Sequence, residues 1–203
     1  MQQIHMITPC LWFDNQGEEA AKFYTTIFPN SKIVTVTRYG EAGQVVHMKK
    51  PGSVMTVEFE LNGYAFTALN GGPLFKFNQA VSFQVYCDTQ DEIDHYWEKL
   101  SEGGDPKAQA CGWLKDKYGV SWQVVPRGMA EMLKNPAAEG SKRAMEAVMK
   151  MKKFDIAELN RAYAGSRSGK ASPARTVIRG RDRGHPRRKP SPDAINWETV
   201  IVF

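Results

Sequence analysis

The sequence predicts an α+β fold, two β-α-β-β-β modules in tandem followed by C-terminal helices. Three observations carry this. Asp14-Asn15-Gln16-Gly17-Glu18 returns 74 residues later as Asp88-Thr89-Gln90-Asp91-Glu92. Each copy follows an alternating apolar run (residues 7–13 and 81–87) and opens an amphipathic segment in which Phe23 and Trp97 fall in register. Asn62-Gly63 separates two further alternating runs, the strongest short hairpin signal. A five-residue match alone would be noise, but its return in the same strand-then-helix setting marks a duplicated unit.

The elements follow in order. After the first strand, Asn15 is placed to cap a helix over residues 17–28, with Glu18 three positions on, the capping-box spacing. Ala20, Phe23, Tyr24, Ile27 and Phe28 share one face of that helix, and Pro29 stops it. Strands are expected at 32–39, 54–61 and 64–69. In the second copy Thr89 and Glu92 repeat the cap, and Ile93, Tyr96, Trp97 and Leu100 form the apolar stripe of a helix over 90–102 that ends at Gly103-Gly104. Strands at 108–115 and 120–125 follow, joined by a turn at Lys117 to Gly119. Aligning Gly63 with Gly119 sets Phe66-Thr67-Ala68 on Trp122-Gln123-Val124, a shift of 56 rather than 74, so the second module is shorter by the difference, 18 residues. Beyond Pro126 short Met-rich stripes (Met129, Met132, Leu133; then Met145, Val148, Met149) read as helices, and Asp155 as the cap of a last one carrying Ile156, Leu159 and Tyr163. These helices are expected to cover the sheet or a dimer seam.

Several ordered motifs then resemble a known family. Thr8-Pro9-Cys10-Leu11-Trp12-Phe13-Asp14, Glu18-Glu19-Ala20-Ala21 with Phe23-Tyr24, Phe28-Pro29-Asn30-Ser31, and Leu69-Asn70-Gly71-Gly72-Pro73 with Phe75 and Phe77 are similar to the PhnB-like branch of the vicinal oxygen chelate (glyoxalase/bleomycin resistance/dioxygenase) superfamily. Proteins of this branch commonly carry the label 3-demethylubiquinone-9 3-methyltransferase. The resemblance runs from about residue 4 to 165. It implies βαβββ modules at 4–72 and 80–126 whose strands curl into a cupped mixed sheet, with the ligand site inside the cup, and often a homodimer.

Composition sets bounds. Of 27 basic and 22 acidic side chains, nine and three respectively fall after Gly165, so residues 1–165 are almost neutral and the high pI belongs to residues 166–203. That tail is rich in Pro, Gly, Ser and Arg, and is expected to be disordered. It is the one feature suited to nucleic acid, but no aromatics interleave its charges, so nucleic-acid binding is not expected. No apolar run reaches membrane-spanning length and no signal peptide is visible, so a cytoplasmic location is expected. Three cysteines (Cys10, Cys87, Cys111) are not spaced as a metal cluster and read as buried reduced thiols.

In metal-dependent members of the superfamily, four side chains on the first and last strands of the modules bind a divalent ion. The resemblance places that quartet at Thr8, Thr67, Ser82 and Gln123, none a usual ligand for such an ion. No catalytic metal or other cofactor is therefore expected. His5, His47, His95 and His185 lie on an edge, in a loop, on a solvated helix face and in the tail. Glu58 and Glu60 share one strand face, a possible acid–base pair or simply a solvent-facing side. No Gly-x-Gly turn links a strand to a helix, so S-adenosylmethionine binding has no visible motif. What remains is a pocket. Aromatics such as Trp12, Phe66, Phe75, Tyr86, Trp113 and Trp122 stand among polar strand residues, the make-up of a small-molecule site. Thr8, Trp12, Thr67, Asn70, Phe75, Ser82 and Gln123 are the expected ligand-binding residues, with catalytic residues open. Two function classes follow, a protein acting on a small molecule without a metal and a non-catalytic module that sequesters its ligand.

Overall fold

The computed structural model describes residues 7–165. Its first module runs β1 (Cys10–Phe13), α1 (Gly17–Ile27), β2 (Lys32–Arg38), a one-turn helix α2 (Gln44–His47), β3 (Val54–Leu61) and β4 (Tyr64–Asn70). These strands form one sheet in the order β1-β4-β3-β2, with β1 parallel to β4 and the other pairs antiparallel. The second module comprises β5 (Phe83–Cys87), α3 (Gln90–Ser101), a 3₁₀ turn (Pro106–Ala108), β6 (Trp113–Lys115) and β7 (Ser121–Pro126). Its sheet is ordered β5-β7-β6, with β5 parallel to β7. The duplication reaches single residue pairs: Cys10 lies opposite Thr67 in the first sheet, and Gln84 opposite Gln123 in the second. Those partners are related by the same two shifts, 74 and 56, that align the sequences.

Three details differ from the expectation. The strands form two mixed sheets among the described residues rather than one cupped sheet. The second module also has three strands where β-α-β-β-β calls for four, because its shorter connection leaves no counterpart of β2. Within the stretch expected as a strand at 108–115, Ala110 and Trp113 instead close a tight turn, with Cys111 and Gly112 both left-handed (φ 50 and 80). Gly112 is required there on two counts, since a Cβ would also run into the Phe154 ring and approach Val124 O to 2.9 Å.

Caps differ as well. Thr89 and Glu92 form the expected capping box on α3. On α1, however, the N-cap is Gln16 with no side-chain bond, and Glu18 pairs with Lys22 instead (2.7 Å). The first helical N–H, that of Gly17, donates to Asn70 Oδ1 at the end of β4 (2.7 Å). A neighbouring strand thus supplies the acceptor that Asn15 does not, and a Cβ on Gly17 would sit 2.8 Å from that oxygen.

Each helix buries its stripe on its own sheet: Ala20, Tyr24 and Ile27 against Val57, Phe59 and Ala68, and Ile93, Trp97 and Leu100 with Val85, Leu114 and Val124. The two layers merge into one core. Tyr24 and Phe28 of α1 reach Trp122 at ring-centroid distances of 5.4 and 5.5 Å, and Phe66 meets Phe83 at 5.3 Å. Of these rings Tyr24 and Trp122 are fully buried, each worth about 1.5–3 kcal/mol of transfer free energy, and Phe28, Phe66 and Phe83 are half-buried against them.

Helices α4 (Met129–Leu133), α5 (Glu139–Val148) and α6 (Ile156–Ala164) close the described chain. Asp155 caps α6 as expected, accepting from Glu158 N (2.8 Å). They dock onto α3 through Gln90, whose amide donates to Phe154 O and accepts from Ile156 N. No helix among the described residues is long and apolar enough to cross a membrane. The readings made for His5, for the basic stretch 166–203 and for His185 within it lie outside the described residues.

Candidate functional site

Residues alternate across a strand, so those next to the buried helix-facing positions point to the other side of each sheet. On the first sheet the register aligns Cys10, Thr67, Glu58 and Thr35 in one row across four strands. Cys10, Glu58 and Thr35 are exposed and Thr67 is half-buried, so this face is open. Cys10 thereby departs from the buried-thiol expectation, while Cys87 and Cys111 meet it. Burial pushes the Cys87 thiol up to about 12. Thr8 stands two residues upstream of Cys10, half-buried, where Pro9 O extends the ladder by accepting from Thr67 N (2.9 Å). Glu58 and Glu60 share the exposed side as expected, with Glu60 paired to Lys32 at 3.4 Å.

Trp12 continues this face. Its indole N–H donates to Gly72 O (2.9 Å), and Phe75 packs edge-on against it at 4.9 Å. Gly71 makes this possible, because a Cβ there would overlap the indole. Asn70, by contrast, is buried with its amide engaged by the fold, accepting from Gly17 N and donating to Val54 O (3.2 Å). Tyr39 OH donates to its carbonyl (2.8 Å). Asn70 holds the module together at the edge of the face.

The second sheet carries a polar chain at the matching positions. Gln123 Nε2 donates to Ser82 Oγ (2.8 Å), Gln84 Nε2 donates to Gln123 Oε1 (3.2 Å), and Tyr86 OH donates to Gln84 Oε1 (2.6 Å). Two residues before Gln123, Ser121 is 2% exposed and its Oγ has no hydrogen-bond partner among the described residues. A buried hydroxyl left unpaired costs on the order of 1–3 kcal/mol, which a buried water is enough to relieve. Sequence reasoning passed over Ser121 and Gln84 and counted Tyr86 only among the pocket aromatics, although the 74-residue shift pairs Cys10 with Gln84 and Trp12 with Tyr86.

The structure therefore places Thr8 beside the β1 residues that pair with Thr67, and separately bonds Ser82 to Gln123, but the two pairs belong to different modules. Nothing among the described residues bridges them. The quartet does not fit a divalent ion, being two threonines, a serine and an amide, and no group of three His, Cys, Asp or Glu side chains among the described residues is arranged to hold one. His95 is exposed, yet its Nε2 lies 3.1 Å from Ile27 O and ties α3 to the end of α1.

A buried carboxylate was also missed. Asp116, in the β6–β7 turn, is 2% exposed and accepts four hydrogen bonds, from Tyr24 OH (2.7 Å), Trp122 Nε1 (2.8 Å) and the backbone N–H groups of Tyr118 and Val120 (2.9 Å each). Burial nonetheless raises its pKa above the ordinary aspartate value, with the four donors pulling the other way. An Asp opening a turn was the available signal. Its partner on α1, in the other module, was not legible.

Two sheets, each with parallel first and last strands around antiparallel neighbours and a helix on one side, define a tandem-module α+β protein of the vicinal oxygen chelate type. The family described as 3-demethylubiquinone-9 3-methyltransferase matches residues 5–125, more than half of the chain. The chain belongs to this family, in its PhnB-like branch. The solved structure of a PhnB protein from Bacillus cereus is 38% identical, covers 60% of this chain and 99% of its own, and superposes with a TM-score of 0.53. A Staphylococcus aureus protein is 30% identical over 62% of this chain and 98% of its own, with a TM-score of 0.28. The fosfomycin resistance protein FosX of Mesorhizobium loti is 12% identical over 66% of this chain and 100% of its own, with a TM-score of 0.45. Nothing among curated proteins matches.

Proposed function

We propose that this protein binds a small molecule rich in hydrogen-bonding oxygens or amides, without a metal ion, on the open face of the first sheet. Trp12 and Phe75 form the aromatic wall and Thr8 and Thr67 the polar contacts. Ser82 and Gln123 belong to the complementary half, which a second copy of the chain sets opposite in a homodimer. The observation that carries this is the shared register. Equivalent positions on both sheets hold polar side chains, yet within one copy the two halves stay apart.

The family's name describes methyl transfer. Each sheet has a single parallel pair, and the turn after β1 is Asp14-Asn15-Gln16-Gly17, so neither builds the crevice in which a nucleotide-bearing methyl donor is held. The open row offers one carboxylate, Glu58, and no imidazole, which favours binding over acid–base turnover.

Native mass spectrometry of the purified protein tests this together with elemental analysis. A bound organic molecule is expected, displaced in Trp12→Ala and Thr67→Val proteins with unchanged circular dichroism. Metal at one equivalent that disappears in a Gln123→Ala protein would overturn the reading, as would a ligand retained by both variants. Conversion of the identified molecule on incubation would show turnover and exclude sequestration alone.

A further inference from the structure

Where the two modules join lies a cleft of about 580 Å³, within the range of small-molecule sites. Phe28, Phe66, Phe83, Tyr96 and Trp122 wall it, and Tyr64 and Tyr86 stand at its rim, 70% and 51% exposed. It meets the polar chain of the second sheet at Gln84 and Tyr86, but its ring walls face away from the first-sheet surface proposed above. Phe66 and Trp122 are the chain neighbours of Thr67 and Gln123, and so lie on the opposite faces of β4 and β7.

Its rings are held in place by one another. Phe28 stacks on Tyr96 (5.1 Å, 23°) and on Trp122 (5.5 Å, 28°), and Phe83 meets both Phe66 and Trp122 at 5.3 Å. Aromatic faces are electron-rich and attract cations within about 6 Å.

The charges at the mouth are net negative. Asp88 and Glu92 face a single cation, Arg127, which is already 2.7 Å from Asp88 Oδ1. Glu92 Oε2 is fixed by the backbone N–H groups of Asp88 (2.6 Å) and Thr89 (3.2 Å). Helix α1 ends at the cleft with no basic residue in its own last turn, and its Ile27 carbonyl is met by His95 Nε2 at 3.1 Å.

We propose that this cleft is a second binding site, for a planar aromatic cation. Ring stacking supplies the contact area, and the aromatic faces and the two carboxylates select the charge.

Proflavine, a fused three-ring cation, is the probe, and anthracene-2-sulfonate, of similar size and opposite charge, is the comparison. Titrations of the full-length protein are followed by dye fluorescence. Saturable proflavine binding at one per chain is expected, about tenfold or more tighter than the anion. Tyr64→Ser and Asp88→Asn each weaken it about fivefold with unchanged circular dichroism, and Thr67→Val leaves it unchanged. Both substituted side chains are exposed, so neither variant should unfold the protein. Absence of saturable binding, equal affinity for the anion, or insensitivity to Tyr64→Ser and Asp88→Asn would overturn the proposal. Loss on Thr67→Val alone would assign the dye to the first-sheet face and overturn it too.

Discussion

Asp116 joins the two modules through one carboxylate, since Tyr24 comes from α1 and Trp122 from β7. Asp116→Ala strands four donors at a buried site, and a loss of about 3 kcal/mol or more is expected in urea denaturation. Tyr24→Phe removes one bond to a charged acceptor and should cost about 1.5–3 kcal/mol. The titration has a definite sign. Because the folded-state pKa stands above the unfolded value, the folded protein holds this proton more tightly than the unfolded chain does. Stability from Asp116 is thus fully present below pH 3.8 and falls as pH rises through the raised folded value. Wild type should therefore lose stability relative to Asp116→Asn as pH rises across that window, which midpoints measured in parallel will show; an opposite slope would mean that the four donors outweigh burial. At this scale the sequence was legible where a residue's place is set by its own strand, as with the positions of Trp12 and Thr67 on one face of the first sheet. It was not where the role is set by a partner far along the chain. Asn70 reads as a ligand contact in isolation, and only the packing of β4 beside the start of α1 shows its amide engaged.

The helices let the caps be compared directly. Thr89→Ala removes a capping box and should cost about 1 kcal/mol. Asn15→Ala, at the position that reads identically in the sequence, should change stability by less than about 0.5 kcal/mol, because Asn15 caps nothing. Asn70→Ala, which withdraws the acceptor from Gly17 and the donor from Val54, should cost about 2 kcal/mol or more. Equal effects of Thr89→Ala and Asn15→Ala on the urea midpoint would contradict the structure. Element type and register were largely readable from hydrophobic period and from the two shifts, since both depend on local alternation and on a repeat that evolves as a unit. The run at 108–115 misled because apolar residues there are buried by a tight turn beneath Phe154, not by a strand, and burial alone does not distinguish the two.

The whole molecule holds two sheets around a single core, which has consequences for folding and for assembly. With Tyr24, Phe28, Phe66, Phe83 and Trp122 shared between modules, neither retains its buried area if the other unfolds. Far-UV circular dichroism and tryptophan fluorescence should trace one coincident urea transition, whereas two separated transitions would show independent modules. The shared core also places the helix-facing sides of both sheets inward and leaves the row Cys10, Thr67, Glu58, Thr35 facing outward, beside Trp12 and the half-buried Leu69. Homodimerisation through that face follows from the proposed site, and a stable interface of this kind removes at least about 1,000 Å² from water. Thr67→Arg, placing a charge at the centre of the row without touching the core, should convert a dimer into a monomer in sedimentation experiments. The melting temperature of wild type should then rise with protein concentration and that of Thr67→Arg should not, because only an associating fold is stabilised by mass action. A wild-type protein that sediments as a monomer at all concentrations would leave Ser82 and Gln123 without an opposing half, and the ligand would have to be held by the first sheet alone.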